Sequence, residues 1–303
     1  MGPGDLAARR GRRNHAAVLR AVLLLAAAAA LAVGVARPEA APGHRLGAFT
    51  GTGSWVSIYD GAALRHPERV VATLRAHGVH TLFIETANDK QPRDVAHPLA
   101  LSRLIDAAHA ARLDVVGWYL PSLVSPRREI RRALAGARFT SAGGGHLDAF
   151  ALDLEATNVR SLARRSTRAV WVAHDVRAAM PRSMALGAIT IDPVGARYWN
   201  GYPFAGLRRS VDVFLPMEYF TYRTRGARRV AAYSRANVAV VRERAGDPSF
   251  PVHPIGGEAS AATPAELQAF LLASRGALGV SLWEYGGTTA RQWALLARAH
   301  SRP

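Results

Sequence analysis

Residues 148–155 read Asp148-Ala149-Phe150-Ala151-Leu152-Asp153-Leu154-Glu155. Side chains alternate between the two faces of a strand, so Ala149, Ala151, Asp153 and Glu155 share one face. Phe150, Leu152 and Leu154 occupy the other, where they should pack beneath helices. A strand of this kind carries two carboxylates two residues apart at its C-terminal end. Neighbouring carboxylates do not ionise independently, so one tends to hold a proton. Glu155, nearer the end, is then the natural proton donor and Asp153 the group that orients and tunes it. The alternative is a structural ion pair between these carboxylates and an arginine inside the fold.

Outward from this strand, short apolar segments alternate with alanine-rich, arginine-studded ones. The expected strands are Trp55–Tyr59, His80–Glu85, Asp114–Leu120, Ala149–Glu155, Met184–Ile191, Val211–Glu218, Pro251–Ile255 and Gly279–Tyr285. Helical patterning falls between them, as at Pro67–His77, Leu99–Arg112, Arg127–Ala137, Val159–Met180 and Pro264–Ser274. Strands that alternate with helices run parallel. Eight such units predict a single α/β domain, a closed (β/α)8 TIM barrel over residues 48–303, with its chemistry where strands end and βα loops begin. An open doubly wound sheet is the competing topology, but no glycine-rich phosphate loop follows the first strand.

The N-terminal 36 residues read differently. Arg9, Arg10, Arg12, Arg13 and Arg20 precede an apolar run from Ala21 to Ala36. A positive flank before an apolar core is the pattern of a signal peptide or signal anchor. It places the rest of the chain outside the cytoplasm. Gly34-Val35-Ala36 could be cleaved, and an uncleaved segment would make the membrane a partner. A buried alanine-rich helix is the other reading, which leaves the basic flank unexplained. Residues 37–47, with Pro38, Pro42 and Gly43, read as a linker.

The chain has 303 residues, 49% of them hydrophobic, and a formal charge of +17. Lys90 is its one lysine among 39 basic residues; the others are arginines spread along the sequence. Zinc-finger spacing and RNA-binding aromatic motifs are absent, which argues against nucleic acid as a partner. There is no cysteine, so disulfides, thiolate metal sites and a cysteine nucleophile are excluded. The histidines, His174 and His253 among them, lack metal-ligand spacing and read as packed or surface residues. No cofactor is implied.

Acidic residues recur at the ends of the expected strands: Asp60, Glu85, Asp153, Glu155, Asp192, Glu218, Glu258 and Glu284. Asp60, Asp192 and Glu284 read as helix caps or arginine partners. Glu85, Glu218 and Glu258 are candidate substrate-binding groups. If Met217 and Tyr219 face inward, however, Glu218 should face out. Aromatic residues join them at these ends, with Trp283 and Tyr285 suited to stacking on sugar rings and Trp118 to the core.

Together, Asp148, Asp153 and Glu155 resemble the fourth-strand motif of family 18 glycoside hydrolases, the chitinase-like barrels. Ala151 stands where that family has a further Asp. Met217-Glu218-Tyr219-Phe220 resembles its sixth-strand motif, with Phe220 in place of an Asp, and Trp283 resembles its eighth-strand tryptophan. The resemblance implies a glycan-cleaving barrel with Glu155 as general acid, Tyr219 positioning the sugar and Trp283 and Met217 lining its floor. The two missing Asp residues weaken the family's acetamido-assisted route. A second layout pairs Glu155 with Glu258, the strand-four and strand-seven ends used by the large retaining clan. The competing expectation is a barrel that binds cell-envelope glycan without cleaving it.

Overall fold

The computed structural model describes residues 46–300. The targeting segment expected at 1–36 and residues 37–45 of the linker lie outside them. Eight parallel strands close into a barrel in sequence order. They are β1 (Gly51–Val56), β2 (Thr81–Asn88), β3 (Asp114–Leu120), β4 (Ala149–Asp153), β5 (Ala185–Thr190), β6 (Val213–Glu218), β7 (Ile255–Gly257) and β8 (Gly279–Trp283). Closure comes from β1 against β8, with Gly51 opposite Gly279 and Ser54 opposite Leu282. The open-sheet alternative is therefore excluded.

Around the strands run α1 (Gly61–Arg65), α2 (Pro67–Ala76), α3 (Pro98–Ala110), α4 (Pro126–Ala137), α5 (Leu162–Ala179), α6 (Phe204–Leu207), α7 (Ala227–Ala245), α8 (Pro264–Ala273) and α9 (Ala290–His300). Among the described residues no helix is long and apolar enough to cross a membrane.

Strand alternation separates two apolar layers. Leu82, Phe150, Leu152, Phe214 and Leu282 point outward and pack with the helices. Phe83, Val116, Ala149, Ala151, Ala185 and Leu215 point inward and fill the barrel. Within it, Trp55 stacks on Phe83 at 4.1 Å. A short 3-10 turn, Gly47–Phe49, closes the N-terminal end, where the Thr81 hydroxyl donates to the Ala48 carbonyl at 2.9 Å. Next to it His253 is fully buried, its Nδ1 2.8 Å from the Phe49 carbonyl. Burial pushes its pKa down to about 4, so the ring is neutral and Nδ1 is the donor. His253 is thus a packed histidine, as its sequence context suggests.

β2 runs three residues further than expected, to Asn88, β4 and β8 stop two residues early, at Asp153 and Trp283, and two strands lie largely elsewhere. β1 begins at Gly51 rather than Trp55, and β7 ends at Gly257 rather than Ile255. Glycines hide both shifts, because they interrupt an apolar pattern while serving close packing. A Cβ on Gly53 would sit 2.4 Å from the Phe83 ring, and one on Gly256 2.5 Å from the Phe270 ring. The shift of β7 matters most, since it puts Glu258 directly after the strand.

The loops after β6 and β7 are tied to each other. Thr263 and Glu266 form a capping box at the start of α8, a cap worth about 1 kcal/mol. The other oxygen of Glu266 accepts from the Gly226 amide at 2.7 Å. Thr221 donates to the Gly257 carbonyl at 2.6 Å and accepts from the Glu258 amide at 2.7 Å.

Candidate active site at the barrel mouth

The inward side chains nearest the C-terminal ends of the strands form the candidate site. Glu85 on β2 lies beside Trp118 on β3, which lies beside Ala151 on β4. Asp153 ends β4 and Glu155 follows it. Met217 and Tyr219 come from the end of β6, and Trp283 ends β8 opposite Gly257. The Trp118 and Trp283 rings meet edge to face at 6.0 Å, and Trp55 lies 6.2 Å from Trp283. Trp118 packs in the core as expected, but its core is the floor of the mouth.

Asp153 and Glu155 form a carboxyl pair that burial holds above the ordinary range. Burial raises Asp153 most, and the charges of Glu155 and Glu85 add to it. Burial also raises Glu155, against a hydrogen bond from Tyr198 that favours the anion. No arginine pairs with either carboxylate among the described residues, so an internal ion pair does not account for them. Glu85 is pushed up to about 7 by burial, opposed by its hydrogen bonds to the Ile58 amide (3.0 Å) and Asn88 (3.0 Å).

Tyr219 stands among the carboxylates. Its phenol is held well above its ordinary pKa by burial and by Asp153, Glu155, Glu258 and Glu284. The backbone carrying Glu258 is fixed through Thr221, and the Tyr222 hydroxyl donates to its carboxylate. The Gly257–Glu258 and Trp283–Glu284 peptide bonds are cis. A cavity of about 350 Å³ opens beside Glu155, lined by Asp89, Lys90, Leu120, Thr157, Asn158 and Tyr198. A wider groove of about 580 Å³, lined by Arg65, Arg93, His97, Leu99 and Arg103, contains no carboxylate and is not where the acids gather.

Several expected site residues stand elsewhere. Glu218 is 0% exposed and faces outward to Ser234 of α7, because Met217 and Tyr219 take the inward positions on either side of it. Tyr285 leans away from the mouth onto Trp293 of α9, with ring centroids 6.1 Å apart. Asp148 is at the opposite end of the barrel, accepting from the Val115 amide at 2.7 Å and lying 2.9 Å from His109. Phe220 is fully buried and packs on Phe270 of α8 at 5.5 Å.

Of the three acids read as caps or arginine partners, Asp60 accepts from the Ala63 amide at the start of α1. Asp192 accepts from Arg223 at 3.0 Å. Glu284 does neither; the charges acting on it are those of Asp60 and Glu258. Sequence reading missed Tyr198 and Asn88. Tyr198 lies in the long loop after β5, 43 residues from Glu155, with no periodic signal to mark it.

Burial of Glu218 has a consequence for stability. Burial raises its pKa strongly, with Ser234 opposing and Asp192 adding. A carboxyl whose folded pKa exceeds its unfolded one binds more protons in the folded state, so stability falls as pH rises above the unfolded value. Thermal unfolding midpoints of the wild type should therefore drop between about pH 5 and pH 8, and Glu218→Gln should make that drop shallower. An unchanged slope would show that Glu218 is ionised at no cost.

No protein-family model matches the chain, and no curated protein matches it. Solved structures do. The endo-1,4-beta-mannanase from Rhizomucor miehei is similar at a TM-score of 0.63 and 8% identity, over 83% of this chain and 94% of that one. GH5_18 from Streptomyces cattleya, solved in complex with GlcNAc, matches at 0.62 and 11%, over 84% and 82%. A chitinase from Bacteroides thetaiotaomicron matches at 0.58 and 11%, over 82% and 94%. What the chain shares with these glycoside hydrolases at such identity is the barrel fold, and mannanases alongside a chitinase do not single out the chitinase-like pattern.

Proposed function

We propose that this barrel is a glycoside hydrolase acting on a polysaccharide or cell-envelope glycan outside the cytoplasm. One observation carries the reading: a buried carboxyl pair, Asp153–Glu155, and a separate carboxylate, Glu258, act on the same phenol, Tyr219, above an aromatic floor. Hydrolysis of a glycosidic bond needs a carboxylic acid to protonate the leaving oxygen and a second carboxylate to act at the anomeric carbon. Glu155 supplies the first and Glu258 the second. Burial keeps the Glu155 carboxyl above its ordinary range, and Asp153 forms a proton-sharing pair with it. Tyr219 holds the sugar between Glu155 and Glu258, and Trp283 stacks on its apolar face.

The pairing of Glu155 with Glu258 is favoured over acetamido assistance. Ala151 and the buried Phe220 leave no carboxylates where that route needs them. As the nucleophile, Glu258 would form a glycosyl-enzyme that water then releases with retention. The extracytoplasmic assignment rests on Arg9–Arg20 and the apolar run to Ala36.

The test is a panel of wall-type and storage glycans incubated with the chain and scored for new reducing ends. At least one should be cleaved, and Glu155→Gln should abolish most of the release. Tight, Trp283-dependent binding with no release from any glycan would instead mark a binding barrel. On a cleaved substrate, Asp153→Asn leaves one ionisable carboxyl where the wild type has two that titrate together, and the upper step of the pair is lost. The acid then loses its proton at lower pH, so the alkaline limb of kcat/KM should move to lower pH with a modest loss at its acid end. An unmoved limb would separate Asp153 from the proton donor.

A further inference from the structure

A glycosidase needs two carboxylates, yet this mouth gathers six: Asp60, Glu85, Asp153, Glu155, Glu258 and Glu284. They do so in a chain whose formal charge is +17. The Cβ position of Gly286 lies 3.1 Å from an Asp60 oxygen, which brings Asp60 to the end of β8 beside Glu284. The Glu284 carboxylate accepts no hydrogen bond among the described residues, and its pKa is raised by burial and then by Asp60 and Glu258. Of the two arginines on the loop after β6, Arg223 is engaged by Asp192 and Arg225 by Glu266 and the Ala261 carbonyl, and Lys90 lines the cavity next to Glu155.

Two buried polar atoms on the inward face of the same mouth also lack partners. Asp153, 7% exposed, has an unpaired Oδ1, and Trp118, 4% exposed, has an unpaired Nε1. Buried polar atoms are almost always satisfied, so an empty acceptor and an empty donor here point to a ligand that brings both. A sugar does so through its hydroxyls. Among the described residues no set of three acids or histidines is arranged to hold a metal ion, which leaves the acids without an inorganic counterion.

We propose that the mouth takes a glycan bearing free amino groups, a polymer of de-N-acetylated hexosamine, with an ammonium seated at Glu284 between Asp60 and Glu258 and beside the Trp283 ring. The assignment rests on the glycan-cleaving reading and adds the charge of the sugar to it. An ammonium is a donor with three N–H groups, and its charge offsets the influence of Asp60 and Glu258 that adds to burial in raising the Glu284 carboxyl. Its binding therefore favours loss of the Glu284 proton, whereas a neutral sugar carries no charge to do so.

The experiment is calorimetric titration of the full chain with three tetramers: β-1,4-linked glucosamine, its fully N-acetylated form and mannotetraose. At low salt the glucosamine tetramer should bind about tenfold tighter than either neutral one. The advantage should shrink as salt rises, because ionic attraction in an open mouth is screened. Glu284→Gln should remove most of the advantage and leave mannotetraose binding intact, which also reports that the variant is folded. Should Glu284→Gln fail to fold, the wild type still decides. Its binding heats in two buffers of different ionisation enthalpy should reveal proton release with the amine and none with mannotetraose.

Equal or weaker binding of the amine overturns the site, as does an advantage untouched by Glu284→Gln or by salt. Neutral glycans cleaved in a Glu155-dependent way with no amine preference would overturn this site alone and leave the hydrolase. Tight amine binding without release of reducing ends would overturn the hydrolase and leave the site.

Discussion

Glu155→Gln should lower hydrolysis of a natural glycan about 10²- to 10⁴-fold, the usual contribution of a positioned acid. The amide keeps the shape of the side chain, and its carbonyl oxygen can still accept from the Tyr198 hydroxyl, but it has no proton to transfer. The loss should depend on the leaving group. A sugar alcohol leaves as a strong base and needs the proton, whereas a nitrophenolate leaves unaided. The first glycosyl transfer from an aryl glycoside should therefore be nearly unaffected. Sugar affinity should survive, since Trp283 and Tyr219 remain. First-turnover rates on an oligosaccharide and an aryl glycoside of the same sugar, measured before any glycosyl-protein must be hydrolysed, give the contrast. Equal losses on both would mean that Glu155 holds the sugar rather than protonating the leaving group.

Glu258→Gln should behave in the opposite way. If Glu258 attacks the anomeric carbon, its loss removes the step that every substrate shares, whatever departs. Turnover should fall about 10³-fold or more on the oligosaccharide and the aryl glycoside alike. The backbone of Glu258 is fixed by Thr221 and its side chain is met by Tyr222, so the substitution should leave the fold and the thermal midpoint close to those of the wild type. Full activity on aryl glycosides would remove Glu258 from the mechanism.

Much of the barrel was legible because hydrophobic period is a strong signal wherever a strand meets a helix layer. Segment 148–155 shows this best: Phe150 and Leu152 pack outward, Ala149 and Ala151 inward, and Asp153 faces the mouth. The period fails where glycine substitutes for bulk. Gly53 and Gly256 make room for aromatic rings from elsewhere in the fold, which no local pattern announces. Alternation also fixed the fate of Glu218, since its inward neighbours Met217 and Tyr219 force it out toward Ser234.

Past the strand ends, the period gives no guidance. Asp60 and Asp192 read correctly as cap and arginine partner because local turn chemistry explains them. Glu284 did not, since its surroundings come from Asp60 and Glu258, far apart in sequence. Tyr198 acts through a contact with a residue far off in sequence, and Asn88 through one to Glu85 on its own strand that alternation does not mark. The resemblance carried by Asp148 dissolved for the same reason: the residue stands at the other end of the strand from the chemistry.

Glycosyl transfer to Glu258 in the absence of its acid–base partner offers the most direct test. Glu155→Gln should still react with an activated aryl glycoside, but it lacks the base that activates water to release the sugar. A covalent glycosyl-protein should accumulate. Intact mass spectrometry of the quenched variant should show the added mass of one glycosyl unit, and peptide mapping should place it on Glu258. Continued turnover of the aryl glycoside with no adduct, or an adduct on any other residue, would contradict the Glu155–Glu258 assignment.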